Sequence, residues 1–549
     1  MQVARRHWLG VIGVIALAAC HPSPRSDQQS RADRALQVLD PARIEKDARY
    51  LGSDELEGRA PGTPGGAKAE EFIAARYHEL GLAPGGDAGT YFQTVPLRQA
   101  TPTSASVVVA TSRGTVTLDQ TRDVFVRGYP RAAHVALEAP LAFVGYGLER
   151  PDLGYDDLAG VDLHGAIAVI FSGAPRTLHG QPVDPALHAA LSEVAPRARA
   201  LREHGAVGYI TVWDPARARV QPWTGIFEKA PRITFAWLDG GAAASDPVLP
   251  SVTIGVDALD RIAGAPVAQT TWEQLDRGEH PRVEIAGTLA LTMDSDLKDV
   301  TARNVVGVLP GGDLSGEYVA YSAHHDHLGI GTPVRGDAIY NGTLDNAIGV
   351  AEMLEIARAL RALPKPPRRS VMFVAVTAEE RGLLGSEYFT LHPPVPIERI
   401  VGDINIDGGT PDYQVFDVVA LGSEHSTLGA QAEAAARMVG LALSPDPEPD
   451  QVLFIRSDQY SFVKRGVPSL YASVGYKDAE GKTETNRRLS DAWMTEHYHQ
   501  PSDEWLPDFR AAYTLPELRF ELVLGLLVAD ADARPHWNPG DVFGSLVKR

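Results

Sequence analysis

Hydrophobic positions along this chain fall into three textures. After Asn304, compact apolar runs recur at Val305–Leu309, Tyr318–Ala323, Ser370–Val376, Ile400–Ile406 and Ser469–Ser473. Stretches with helical apolar spacing, Ala347–Leu363 and Leu515–Asp530, alternate with them. Continuous apolar strands separated by helices predict an α/β fold, with a mixed, largely parallel sheet covered by helices on both faces. Residues 104–290 read differently. Short β-type runs (Ala105–Ala110, Ala133–Leu137, Leu141–Val144, Ala166–Ile170, Gly208–Val212, Ser251–Ile254) are punctuated by Gly and Pro, with one helix near Ala189–His204. This predicts a mostly-β insert with a βα unit. From Pro41 to Leu82 the pattern is helical again, broken by a loop at Gly62, Gly65 and Gly66. The expected organisation is a leader over 1–20, a flexible tether over 21–37, a first part of the α/β domain over 38–103, the insert over 104–292, and the main part over 293–549.

The leader changes the picture of where the chain works. Arg5, Arg6 and His7 form a basic start, Trp8–Ala19 is apolar, and Leu17-Ala18-Ala19-Cys20 ends it. The apolar stretch is shorter than the roughly 20 residues a bilayer span needs. Cys20, the only cysteine, follows small residues directly, and the segment resembles a bacterial lipoprotein signal in which this cysteine is lipidated. His21 follows it where inner-membrane retention favours aspartate, so the expectation is an exported, periplasmic protein anchored at the outer membrane, with secretion in soluble form as the alternative. Lipidation of Cys20 would leave no thiol for a disulfide or for catalysis. A formal charge of −19 argues against a nucleic-acid partner and against binding anionic lipid by charge; membrane contact is expected only through the anchor.

Candidate chemistry lies at the ends of the late apolar runs. His324, His325, Asp326 and His327 follow Tyr318–Ala323, Asp345 precedes Ala347–Leu363, Glu379 and Glu380 follow Ser370–Val376, Asp407 follows Ile400–Ile406, and His497 and His499 precede Pro501-Ser502-Asp503. Taken singly, each has a plain structural reading: a polar turn, a helix cap at Asp345, surface histidines. Two adjacent carboxylates after a buried strand are costly unless cations pair with them. Together the imidazoles and carboxylates suit a two-metal hydrolytic centre with a separate carboxylate free to handle protons.

The ordered segments SAHHDHLG, YNGTLDNAIGV, AVTAEERGLLGS, NIDGG, RSDQYSF and HYHQPSDE, with EGRAPGT (57–63) before them, resemble the co-catalytic zinc aminopeptidases, the superfamily that includes glutamate carboxypeptidase II. The insert, through Val144-Gly145-Tyr146-Gly147 and Tyr155-Asp156-Asp157-Leu158, resembles a protease-associated domain. The resemblance implies a zinc-exopeptidase (phosphorylase/hydrolase-like) fold and two Zn2+ ions, one on His324 and Asp407, the other on Glu380 and His499, with Asp345 bridging. It further implies Glu379 as general base, Asp326 as the partner behind His324, and a cis peptide at Asp345–Asn346. His325 stands where the family more often has an aromatic residue; His325, His327 and His497 are expected not to bind metal. The implied activity is an aminopeptidase acting on peptides. A carboxypeptidase or dipeptidase of the glutamate carboxypeptidase type is the alternative, with Arg456 and Lys464 available for a substrate carboxylate; a glutaminyl cyclase fits the insert less well. A receptor-like binding module would be expected to have lost ligands that are all present here. The same ligand types accept cobalt or manganese as well as zinc. Aromatics of 454–476 (Tyr460, Phe462, Tyr471) read as pocket walls or core, and Arg59 as a loop-ordering residue.

Overall fold

The structure, a computed structural model, describes residues 24–229, 232–245, 248–409 and 412–546. The leader and Cys20 lie outside the described residues. Among the described residues no helix is long and apolar enough to cross a membrane.

The late apolar runs form one mixed sheet. Strand Leu314–His324 is flanked by Arg369–Val376 and Ile400–Ile406, both parallel to it, and Ser469–Val474 continues the parallel set beyond Ile400–Ile406. Antiparallel neighbours close the two sides, the end of Gly287–Leu309 against Arg369–Val376 and Asp417–Leu421 against Ser469–Val474. Arg369–Val376 and Ile400–Ile406 are buried throughout and Leu314–His324 over residues 319–324, because helices cover both faces, which is why they read as unbroken apolar runs instead of alternating ones. Helices Ile348–Arg361 and Leu515–Asp530 carry much of the main core with Tyr321 and Phe373, whose rings stack at 5.7 Å. The chain leaves the central strand Leu314–His324 and pairs next on one side, then on the other. The carboxyl end of that strand is therefore a topological switch point, where open α/β sheets place their ligands.

The insert hangs from a two-stranded stalk. Strands Phe92–Thr111 and Gly287–Leu309 pair antiparallel along nearly their whole lengths, with one register shift at Asp294/Ser295. They run without interruption through 103/104 and 292/293, where the apolar texture changes; the break in pattern marks a change of packing partner, not the end of an element. Beyond the stalk, Leu141–Phe143, Ile167–Phe171, Gly208–Val212 and Ser251–Ile254 form a parallel set with its own buried cores. The single helix expected near Ala189–His204 is two, Pro185–Leu191 and Val194–Glu203, separated at Ser192-Glu193.

The segment expected as a tether is helical over Pro24–Leu36. Ala32 and Ala35 are buried against the main core and Arg31 pairs with Asp530 at 2.9 Å. Small alanines among polar residues give little hydrophobic signal, yet they let a helix lie close on Leu515–Asp530.

Candidate metal centre

Most candidate side chains lie at a strand end or at the entry to a helix along the switch-point edge. His324 is the last residue of its strand, Asp407 follows its strand directly, and Glu379 and Glu380 follow theirs after Thr377 and Ala378. Asp345 sits in the turn Thr343–Ala347 that opens helix Ile348–Arg361, and the Asp345–Asn346 peptide is cis, as the resemblance implies. His499 adopts a left-handed φ of 56° in the turn after helix Glu484–Glu496.

Asp345 is the hub. Its Oδ1 lies 3.2 Å from His324 Nε2, and its Oδ2 lies 3.1 Å from His499 Nε2. His324 Nε2 also meets Asp407 Oδ1 at 3.1 Å, and His499 Nε2 meets Glu380 Oε2 at 3.2 Å. Two sets of donor atoms therefore share one carboxylate: His324, Asp345 and Asp407 on one side, and Asp345, Glu380 and imidazole on the other. The sequence reading set His327 aside, but the fold brings it into the second set, with Nδ1 2.7 Å from Glu380 Oε1 and 3.9 Å from Asp345 Oδ2. It is fully buried, and Glu380 Oε1 lies off the line of a hydrogen bond, so both ring nitrogens and that oxygen are left without a hydrogen-bond partner. Its place after Asp326 in the same turn was the available signal. His325 points elsewhere, its Nε2 against the Arg303 carbonyl at 3.0 Å, and burial lowers its pKa to about 4. His497 bonds to Ser502 outside the cluster.

The donors fit divalent cations. Burial alone would lower the pKa of His324, yet Asp407 and Asp345 outweigh it and hold the imidazole well above its ordinary range; Glu380 and Asp345 do the same for His499. Conversely, burial would raise Asp345, but the imidazoles of His324 and His499 hold it well below the carboxylate range. Protons thus stand in for cations, in a cluster that gathers three carboxylates with no lysine or arginine among its donors. Burial raises Glu379 well above the ordinary value, His324 opposing and Glu380 and Asp407 adding.

Supporting contacts give Arg59 and Asp326 their places around the site. Arg59 is fully buried and donates only to carbonyls: His325 (2.8 Å), Leu51 (2.5 Å), Asn341 (2.6 Å) and Gly342 (2.8 Å). It ties the His324–His327 turn to the Asp345 turn and places a fixed cation behind the carboxylates. Burial lowers its pKa to about 10, with Asp503 and Asp326 opposing. Asp326 meets His324 differently from the expectation. Its backbone carbonyl faces His324 Nδ1 at 3.1 Å while its carboxylate stands 3.9 Å away and accepts instead from the Glu379 amide at 3.1 Å. Asp326 therefore fixes both the ring of His324 and the backbone of Glu379. Asp503 accepts from the amides of Leu344 (2.9 Å) and Asp345 (3.2 Å). Asn346 joins the Asp345 turn to the Asp407 strand end through the Ile406 carbonyl (2.8 Å) and the Gly408 amide (2.9 Å).

Residues 304–509 match the model of peptidase family M28. A glutamate carboxypeptidase 2 homolog of Caenorhabditis elegans is 30% identical over 180 residues, 31% of this chain and 22% of its own length. Aminopeptidase YwaD of Bacillus subtilis is 31% identical over 93 residues, 17% of this chain and 18% of its own length. The chain thus spans about a fifth of the length of these curated relatives. Among solved structures, an aminopeptidase from Aneurinibacillus sp. strain AM-1 shares the fold at 19% identity and a TM-score of 0.53, covering 91% of this chain and 96% of that one. The residues of both donor sets, from His324 to His499, all lie within the matched segment 304–509.

Proposed function

We propose that the chain is a metallo-aminopeptidase that removes the first residue of peptides at a two-zinc centre, acting outside the cytoplasm as a lipoprotein anchored through Cys20. The observation that carries the catalytic reading is the pair of donor sets sharing Asp345, with Glu379 next to Glu380 in the chain and a member of neither set. His324 and Asp407 would hold one ion, Glu380 and His499 the other, with Asp345 between; His327, against Glu380 Oε1, is a further donor to the second. Bound zinc supplies Lewis acidity that polarises a carbonyl and acidifies water.

The chain's own residues supply the rest. The Glu379 carboxylate takes a proton from the attacking water and returns it to the leaving amine, a role that suits a half-buried carboxylate whose pKa is pushed upward. Asp326 holds Glu379 in register through its amide. Arg59 and Asp503 fix the two turns that carry His324 and Asp345. The insert's helix Pro185–Leu191 packs through Ala186 and Ala190 on a wall that includes Leu383, Phe454 and Tyr471, which narrows access and favours short peptides.

The test is hydrolysis of aminoacyl-p-nitroanilides beside N-blocked peptides by wild type and Glu379→Gln, each with metal content measured. Expected are turnover of free-amine substrates only, two metals per chain, and a loss of about 10²–10⁴-fold in a variant that keeps its metals. Release of C-terminal residues from blocked peptides would replace this reading with a carboxypeptidase. No hydrolysis by metal-loaded wild type would leave a binding module.

A further inference from the structure

A second polar recess lies against the segment that enters the Asp345 turn. It is a cavity of about 190 Å³ whose wall draws on three distant stretches of chain. Gly52 and Asp54 come from the end of helix Pro41–Leu51 and the loop after it, Asn341 and Thr343 from the entry to the Asp345 turn, and Glu504 and Trp505 from the residues after Asp503. Asn341 and Thr343 are each 1% exposed, and Asn341 Oδ1 and Thr343 Oγ1 have no hydrogen-bond partner. The orientation of the Asn341 amide is fixed. Its Nδ2 donates to the Gly52 carbonyl at 3.0 Å and to Asp54 Oδ1 at 2.9 Å, which leaves Oδ1 as the unused acceptor. Buried acceptors left in this way are unfavourable unless a donor or a cation meets them. Gly52 permits the close approach of Thr343 Oγ1, with which a Cβ at that position would collide.

Two carboxylates share this wall without a counterion. Asp54 and Glu504 are exposed, and among the described residues neither pairs with a lysine, arginine or histidine. Burial and the charges of Asp54 and Asp337 raise the Glu504 carboxyl above its ordinary value. Arg49, the basic residue on the wall, is already engaged: it donates to Glu45 at 2.8 Å and lies over the Trp505 ring, 5.1 Å from its centroid. The unused atoms are therefore oxygens: two carboxylates, an amide carbonyl and a hydroxyl. Oxygen donors with no nitrogen or sulfur suit a hard cation such as calcium, which takes about six to eight of them and fills its open positions with water. The His324–His499 centre differs in kind, since both of its donor sets contain imidazole.

We propose that Asp54, Glu504, Asn341 Oδ1 and Thr343 Oγ1 form a site for a hydrated hard divalent cation of the calcium type, separate from the His324–His499 centre. The inference stands apart from the peptidase reading, because it uses none of the residues that reading assigns. Its place in the fold gives it a consequence. The Thr343 amide donates to the Asp503 carbonyl at 3.1 Å, and the Asn341 carbonyl accepts from Arg59 at 2.6 Å. A cation held between 54, 341–343 and 504 therefore ties together the segments that carry Arg59, Asp345 and Asp503, and stabilises the folded chain by binding it in preference to the unfolded one.

The experiment titrates calcium into the zinc-loaded full chain, follows the thermal unfolding midpoint, and measures zinc content at the end. Terbium, excited through tryptophan and displaced by calcium, serves as a second probe because Trp505 lies on the cavity wall. Wild type is compared with Asp54→Asn, Glu504→Gln, the double variant and Trp505→Phe. Expected is a saturable rise of the midpoint with a Kd on the order of 10⁻⁴–10⁻³ M, with zinc retained. Binding should weaken about tenfold in each single carboxylate variant and vanish in the double one. Trp505→Phe should lose most of the terbium emission yet keep the calcium-induced shift. Both carboxylates are exposed, so their replacement leaves the fold intact, read as an unchanged circular dichroism spectrum. The proposal is overturned by the lack of any saturable calcium response, by a response equal in the double variant, or by terbium emission unchanged in Trp505→Phe. A response that accompanies loss of zinc would place the calcium in the His324–His499 centre and overturn it as well.

Discussion

Two clusters of buried carboxylates in this chain behave in opposite ways. At the switch-point edge, Asp345, Glu380 and Asp407 interleave with His324, His327 and His499, and Asp345 and Glu380 are held well below the ordinary carboxylate range. Between helices Ile348–Arg361 and Leu515–Asp530, Glu352, Glu517 and Glu521 are equally buried but have no imidazole, and all three are pushed upward by burial, Glu352 to about 8. Among the described residues this trio does not gather into a donor set close enough to share an ion. Buried acids are thus not a cation site by themselves. Interleaved nitrogen donors draw Asp345 and Glu380 toward the ionised form, while burial without them pushes the second trio toward the protonated form.

The widest separation between the clusters should come from removing the hub of the first. Asp345→Asn takes away the carboxylate common to both donor sets; both metals should be lost and hydrolysis should fall to background, read by metal analysis alongside turnover. Retention of one full equivalent of metal with activity would show that the two sets are independent. A smaller loss is expected from Arg59→Met, which removes the fixed cation behind the cluster and strands four carbonyls. Stability should drop by about 3–5 kcal/mol in denaturant unfolding, with weaker metal retention. An unfolding free energy within about 0.5 kcal/mol of wild type would mean that Arg59 is a passenger.

How much of this was legible in the sequence differs between the two regions for a physical reason. The strands that end in His324, Val376 and Ile406 are buried on both faces, so their apolar runs announced both the parallel sheet and the strand ends where candidate ligands sit. The insert stalk was not legible as such. Its strands alternate and change partners midway, so a continuous pair read as several short runs. His327 was set aside because the resemblance gives that position no metal; only the folded turn, which puts its Nδ1 2.7 Å from Glu380 Oε1, brings it into the set. Arg59 itself, one arginine in a Gly-rich loop, shows its use only once the carbonyls it holds converge from 51, 325, 341 and 342. Glu352 lay inside an amphipathic pattern where an acid reads as solvated.

That acid supplies the smallest effect and the sharpest contrast. Glu352 titrates at about 8 in the folded state because burial disfavours its charge, with the Thr514 hydroxyl offsetting part, and at its ordinary value near 4.5 when unfolded. The folded state therefore holds a proton that the unfolded state has released between those values. The sign follows: the contribution of Glu352 is harmless below about pH 4.5, becomes increasingly destabilising as pH rises toward 8, and levels off above it. Its charge is opposed by those of Glu517 and Glu521, and among the described residues no cation pairs with it. Glu352→Gln should be near neutral at pH 4.5 and stabilising by about 1–3 kcal/mol at pH 8, measured by urea unfolding at both values. A gain of the same size at both pH values would mean that Glu352 is not the group taking up the proton, and a loss at pH 8 would mean that the core trio holds a cation after all, which would erase the contrast between the two clusters.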